Sequence, residues 1–231
     1  MNSIGRYISD FASLVFPKIC HACGTSLAQS ETHFCTTCIH QLPYTNFHLQ
    51  PDNKLAKQFW GRVKVASAIA YLYFTKGGKV QNIMHQLKYN KQPQLGVALG
   101  KMYGEELKKN QLYQQAEAII PVPLHPSKLK KRGYNQSETF ANGLSEVLGI
   151  PVLSGILYRE SQKDSQTMQS RSHRFDNMEK VFKANTQTIE LNNVLLVDDT
   201  ITTGATLEAC IIALQDVGIT QINIIGIAYT E

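Results

Sequence analysis

The sequence predicts an α/β domain built on a parallel sheet with helices on both faces, preceded by a small cysteine-bound module. Three observations carry this expectation. Unbroken apolar stretches such as Asn193-Val194-Leu195-Leu196-Val197 and Ala118-Ile119-Ile120-Pro121-Val122 read as strands covered on both sides. They alternate with segments whose apolar residues recur at intervals of three and four, the spacing of a helix face. Ahead of them, four of the five cysteines crowd into residues 20–38.

The elements follow in order. Ile4, Tyr7, Ile8, Phe11, Leu14 and Val15 repeat at helical spacing until Pro17 stops them. This helix carries few cations, so it is expected to dock on the rest of the protein rather than on a membrane. With the cysteine cluster it makes an N-terminal unit over residues 1–45. Residues 46–62 are polar and aperiodic and read as a linker, which leaves 63–231 for the α/β domain. There, Val63 to Phe74 is rich in β-branched and aromatic residues, as a strand requires. Val80, Ile83, Met84 and Leu87 mark one helix, and Leu95, Leu99, Met102 and Leu107 a second. After the strand at 118–122, Phe140, Leu144, Val147 and Leu148 mark a helix closed by Gly149. Leu207, Cys210, Ile211 and Leu214 follow the strand at 193–197, which makes Cys210 a core residue, and Gln221 to Tyr229 is the last strand.

Composition bounds the function. Of 231 residues, 43% are hydrophobic and 18% charged, which excludes wholesale disorder. No apolar run approaches the ~18–20 residues that cross a bilayer, so no transmembrane segment is expected. The N-terminus lacks a small-residue cleavage site and does not read as a secretory signal, so the expected address is cytoplasmic. A net charge of +5 favours anionic ligands mildly and is not a nucleic-acid signature by itself.

Cys20-x2-Cys23 and Cys35-x2-Cys38 are two knuckles separated by eleven residues. Each brings two thiolates to one ion from a tight turn, and together they close a tetrahedral, structural Zn²⁺ shell in a treble-clef-like or knuckle-pair module. His21, His33 and His40 interleave but are not needed. An iron–sulfur cluster and free or paired thiols are the weaker alternatives.

The strongest chemical signal is Val197-Asp198-Asp199-Thr200-Ile201-Thr202-Thr203-Gly204-Ala205-Thr206. An apolar strand ends in two acids, and a Thr/Gly loop opens a helix. Backbone N–H groups at a helix N-terminus form an anion site, and threonine hydroxyls add donors. Gly204 permits close approach of the backbone. Two carboxylates beside a phosphate site make sense where a ribose diol offers two donors. A Walker-type loop is excluded, because no Gly-Lys-Ser/Thr follows the strand.

At these residues the chain resembles the type I phosphoribosyltransferases, whose fingerprint for 5-phosphoribosyl-1-diphosphate (PRPP) is an apolar strand, Asp-Asp, two variable residues and Thr-Thr-Gly. Ile119-Ile120-Pro121-Val122-Pro123-Leu124-His125, then Lys131-Arg132-Gly133-Tyr134-Asn135-Gln136-Ser137-Glu138, narrows the resemblance to the ComF family of competence-associated proteins. Gln166-Thr167, Ser170-Arg171, Arg174 and Asn177 also match that family's pattern, as does the N-terminal cysteine module.

The resemblance implies that Thr200, Thr202, Thr203, Gly204, Ala205 and Thr206 bind PRPP, with Asp198 and Asp199 on the diol and Mg²⁺ offsetting the charge of the diphosphate. Asp198, Asp199 and Arg132 are the expected catalytic residues. Residues 159–183 fall where the superfamily carries a mobile hood loop. Lys128, Lys130, Lys131, Arg171 and Arg174 are the candidate contacts to single-stranded DNA, and DNA-uptake proteins the candidate partners. Three roles stay open on the sequence: a phosphoribosyltransferase with an unassigned acceptor, a PRPP-binding protein that handles single-stranded DNA, and a PRPP-responsive regulator. An amidotransferase sharing the fingerprint is not expected, since the chain begins Met1-Asn2 and spends its early cysteines in CxxC pairs.

Overall fold

The structure, a computed structural model, describes residues 17–159, 181–185 and 190–230. The expected N-terminal helix, Arg171, Arg174 and most of the expected hood lie outside these residues. The described chain opens with the two cysteine knuckles. The first is closed by Gly24 N–H donating to Cys20 O at 2.8 Å. The second begins α1 (Thr36–Gln41) with Cys35 at its N-cap and Cys38 buried in its first turn.

The segment 46–62, expected as a linker, is folded and packed. A 3₁₀ turn (Phe47–Leu49) leads to α2 (Lys54–Phe59), and Phe47, Leu55, Ala56 and Phe59 are all buried. Asn53 makes this possible. Its Oδ1 caps α2 by accepting from Ala56 N–H at 3.0 Å, and its buried Nδ2 donates to Ala68 O at 3.0 Å. Just upstream, Thr45 N–H donates to Tyr71 O and Tyr73 N–H to Pro43 O, which lays the chain antiparallel along the edge of β1 (Ser67–Tyr73). A sheet edge that would otherwise be open is thereby covered.

Next come α3 (Lys79–Tyr89), α4 (Pro93–Leu107) and the single turn α5 (Gln111–Gln114). They lead to β2 (Ala118–Pro121), then α6 (Pro126–Arg132) and α7 (Gln136–Leu148). The strands β3 (Leu157–Arg159) and β4 (Phe182–Ala184) pair antiparallel as a separate two-stranded sheet. The chain closes with β5 (Asn193–Ile201), α8 (Ala205–Asp216) and β6 (Gln221–Tyr229).

The main sheet has the order β1-β6-β5-β2, with every pairing parallel. Val194 to Val197 and Ile222 to Ala228, Gly226 included, are buried residue after residue, so both faces of the sheet are covered, as the unbroken apolar runs require. On one face α4 and α7 approach backbone to backbone. A Cβ added to Gly100 would stand 2.3 Å from Phe140 O, and one added to Gly143 2.1 Å from Val97 O, so only glycine fits at this crossing. Cys210 is buried in the core on α8, where burial pushes its thiol up. Among the described residues no helix is long and apolar enough to cross a membrane.

Candidate functional site

The chemistry of the site begins at the carboxyl ends of the parallel strands, where open α/β sheets bind ligands. β5 runs through the acid pair rather than ending at it: Asp198 lies opposite Gly226, and Thr200 opposite Ala228. The chain then turns at Thr202 and Thr203, and Gly204 takes a left-handed φ of 75° to start α8. Its conformation and its surroundings both demand glycine, because an added Cβ would meet the Phe59 ring at 2.9 Å. Asp198, Thr200, Thr202, Thr203, Gly204, Ala205 and Thr206 line one small cleft of about 40 Å³. The first-turn N–H groups of α8 lack intrahelical partners and mark its positive end, so an anion is the ligand this turn suits.

Asp199 is not among the cleft's lining residues. It pairs with Lys88 of α3, whose Nζ stands 3.3 Å from its Oδ1 and donates to Thr200 Oγ1 at 2.9 Å. Asp198 is held differently. Ser137 Oγ donates to its Oδ1 at 3.1 Å, and the backbone N–H of Asp199 donates to the same oxygen at 2.8 Å. Asp198 keeps some residual surface, but its carboxylate is enclosed. Burial first and the neighbouring Asp199 second push it up from 3.8 to about 7, against the pull of the two hydrogen bonds and Lys88.

The block Arg132 to Ser137 is the frame for this carboxylate. Gly133 turns with φ 83°, and Asn135 caps α7 by accepting from Ser137 N–H at 3.1 Å while its Nδ2 donates to Val122 O at 3.0 Å. Tyr134 OH donates to Leu87 O, tying the turn to α3. Arg132, an expected catalytic residue, points into this frame: its Nη1 donates to Gln136 Oε1 at 2.6 Å and its guanidinium lies 5.7 Å from the Tyr89 ring centre. It does not line the cleft. Lys128, Lys130 and Lys131 are exposed on α6.

Several residues that serve the site carried no signal in the sequence. Gln58 Nε2 donates to Thr202 O at 2.7 Å, and Arg62 Nη1 donates to Thr203 O at 3.0 Å while its other arm pairs with Glu208 of α8. The expected linker therefore clamps the phosphate-type loop from outside while Phe59 supports it from below. Lys88 and Ser137 complete the set. Ser137 stands inside the Arg132–Glu138 block, the one place where sequence reasoning had reason to look.

At the other end of the chain the Sγ atoms of Cys20, Cys23, Cys35 and Cys38 lie within 4.8 Å of one another, with Cys23 and Cys35 3.8 Å apart. A tetrahedral zinc with Zn–S of about 2.3 Å requires S···S of roughly 3.8 Å. Cys35 N–H donates to Cys20 Sγ at 3.3 Å. Burial pushes the Cys38 thiol far up, while hydrogen bonding to Thr25 lowers the Cys23 thiol to about 6. The four cysteines thus form a cluster able to hold a metal ion. His21 and His33 stack on each other at 5.7 Å and are not members of it.

Comparison with known proteins agrees with this geometry. The phosphoribosyl transferase domain family matches residues 135–230, which run from the Asn135 cap through the cleft to the end of β6. Competence protein F of Haemophilus influenzae is 35% identical over 125 residues, 53% of this chain and 55% of that protein. Competence protein ComFC of Streptococcus pneumoniae is 30% identical over 145 residues, 63% and 61% of the two chains. DNA utilization protein YhgH of Shigella flexneri is 25% identical over 209 residues, 84% and 88%. The match spans about half the length of Competence protein F.

A parallel sheet with this strand–acid–loop–helix unit defines a type I phosphoribosyltransferase-like protein. With the four-cysteine module ahead of it, the chain is similar along most of its length to competence and DNA utilization proteins of the ComF type.

Proposed function

We propose that the cleft at Asp198–Thr206 binds PRPP and that the protein acts in DNA uptake by handling single-stranded DNA. One observation carries the first half: a buried carboxylate and a turn of helix N–H groups share a single concave surface. The 5′-phosphate sits on the N–H groups and hydroxyls of Thr202, Thr203, Gly204, Ala205 and Thr206, and the ribose hydroxyls donate to Asp198. Asp199 joins the diol when Lys88 is drawn from it to the ligand's phosphates. Mg²⁺, held mainly by the ligand's own oxygens and water, supplies charge neutralisation between diphosphate and acids. If transfer follows, the bond from the anomeric carbon to the diphosphate breaks, and a bond to an acceptor forms. The chain's part is to hold the two ends of the sugar in place.

Zinc in the four-thiolate cluster is structural in this reading, because four protein ligands leave no open position. The DNA role rests on the relatives named for competence and DNA utilization. The exposed Lys128, Lys130 and Lys131 supply phosphate contacts, joined by Arg171 and Arg174, with DNA-uptake proteins as further partners. The cytoplasm, where thiols stay reduced, is the compartment this assigns.

Titration with PRPP–Mg²⁺ and with an oligonucleotide, separately and together, tests the reading. Each ligand must change the affinity of the other by the same factor. Binding of both with no coupling would separate the DNA surface from the cleft. PRPP binding alone would leave the phosphoribosyltransferase reading standing by itself.

A further inference from the structure

A second cavity, of about 430 Å³, lies away from the phosphate loop, against the edge strand β1 and under the chain that leaves the cysteine module. β6 separates β1 from β5, so the two sites belong to different parts of the sheet. Tyr44, Asn46 and His48 from the connector, Tyr71 from β1, and Tyr103 and Glu106 from α4 supply its chemistry. Its size falls in the range of small-molecule sites, roughly 300–1,000 Å³.

The wall is aromatic and continuous. Tyr71 and Tyr103 stack with centres 4.6 Å apart and planes 26° apart, and Tyr44 leans on Tyr71 at 5.2 Å. His48 meets Tyr103 edge-on at 5.8 Å. The Nδ1 of His48 is shielded from solvent and has no hydrogen-bond partner, an arrangement that costs stability until something bonds to it. Burial holds the imidazole below its ordinary value, so at neutral pH it is uncharged and one ring nitrogen can accept. Glu106 adds a carboxylate acceptor, already paired with Lys109 at 3.3 Å.

This set selects among ligand classes. Among the described residues no lysine or arginine lines the cavity, and a carboxylate does, so a phosphate is disfavoured. An ammonium ion would want rings splayed into a cage and an unpaired acid. Here two rings are parallel and the acid is shared with Lys109. A flat ring system whose faces stack and whose edge carries N–H donors and acceptors fits every feature.

We propose that the cavity binds a nucleobase, stacked on the half-buried Tyr44 ring, which leans at 53° on Tyr71, with its edge bonded to Glu106 and His48. The base is either that of a free nucleoside or one unstacked base of a single strand. The site does not depend on the PRPP reading of the cleft.

Calorimetry with adenosine, with a dA oligonucleotide and with tetramethylammonium tests it, on full-length protein whose metal content and circular dichroism match the wild type. Tyr44→Ala should weaken base binding by roughly 5- to 150-fold, the span of one base–aromatic stack. Glu106→Gln, on a half-exposed helix position that leaves the fold intact, should weaken it by several-fold. Thr206→Ala in the phosphate loop, which leaves Gly204 and Phe59 in place, should leave adenosine binding unchanged. Adenosine binding with this pattern supports a nucleoside site, and binding of the oligonucleotide alone with the same pattern supports a base of a strand. Tetramethylammonium binding in place of both, binding indifferent to Tyr44 and Glu106, or no binding of either base ligand would overturn the proposal.

Discussion

The cysteine module buries Cys20, Ala22, Phe34, Cys38 and Leu42, whereas the sheet and its helices bury whole strands and helix faces, Val194 to Val197 and Leu95 to Leu107 among them. So small an apolar cluster does little to offset the entropy of ordering its loops, and a metal held by the four thiolates would supply the difference. The sheet needs no such help. The difference teaches that the two regions should fail independently, except through what they share. They share the connector: residues 43–45 line the edge of β1, and Gln58, Phe59 and Arg62 hold the loop at Thr202–Gly204.

Metal removal should have the largest effect. Structural zinc contributes on the order of 10–16 kcal/mol in small modules, so chelation, or Cys38→Ser, should unfold residues 18–45 while the sheet persists. Hydrogen exchange should show lost protection in α1 and retained protection in β5 and β6. Global unfolding would break the comparison. Metal analysis finding iron, or no zinc, would remove its premise.

Phe59→Ala comes next. Truncating a buried phenylalanine costs about 3–5 kcal/mol, and here the cavity opens beneath Gly204. Thermal unfolding should fall accordingly, and PRPP affinity should fall with it. Gln58→Ala, at the half-buried end of the same clamp, should lower affinity with less loss of stability than Phe59→Ala. If neither variant touches PRPP binding, the connector supports the fold alone.

The third effect is a gain. Asp198 is raised to about 7 in the folded protein, so between about pH 4 and pH 7 the folded state binds more protons than the unfolded one, and stability falls as pH rises through that window. Asp198→Asn keeps an oxygen for Ser137 and the Asp199 N–H without the buried charge. The ligand-free variant should therefore melt higher than wild type near pH 8, and this gain should vanish near pH 4. A gain equal at both pH values would mean the charge is not what burial penalises.

The smallest effect concerns α6. Changing Lys130 and Lys131 to Ala should flatten the log–log salt dependence of oligonucleotide affinity by roughly one to two units, at about 0.7 per phosphate on a single strand. Stability should not move, since both residues are exposed on a short helix. An unchanged slope would make this face merely solvated.

The same contrast explains what could be read in advance. Strands buried on both sides write unbroken apolar runs, as at 194–197, and α3, α4, α7 and α8 write their faces at three and four. CxxC pairs write their ligand spacing directly. The connector wrote nothing comparable: α2 is six residues long, too short for a period, and its buried Phe47, Leu55 and Phe59 stand among polar neighbours. Its packing is decided by the buried Asn53 and by β1, far along the chain from the loop it clamps. Arg132 is legible only as a cation beside a glycine turn; its contacts to Gln136 and Tyr89 come from the fold. Lys88 is one lysine among many until the fold brings it to Asp199.

The most direct test of the central claim is calorimetric titration of PRPP–Mg²⁺ into the wild type and into the double variant Asp198→Ala, Asp199→Ala. Wild type should bind one equivalent. The double variant, folded and with its metal in place, should bind more weakly by roughly 3–6 kcal/mol, two hydrogen bonds to charged acceptors at about 1.5–3 each. Equal affinity in the two proteins would contradict the account, since the sugar would then have to be held somewhere other than beside the buried carboxylate of β5.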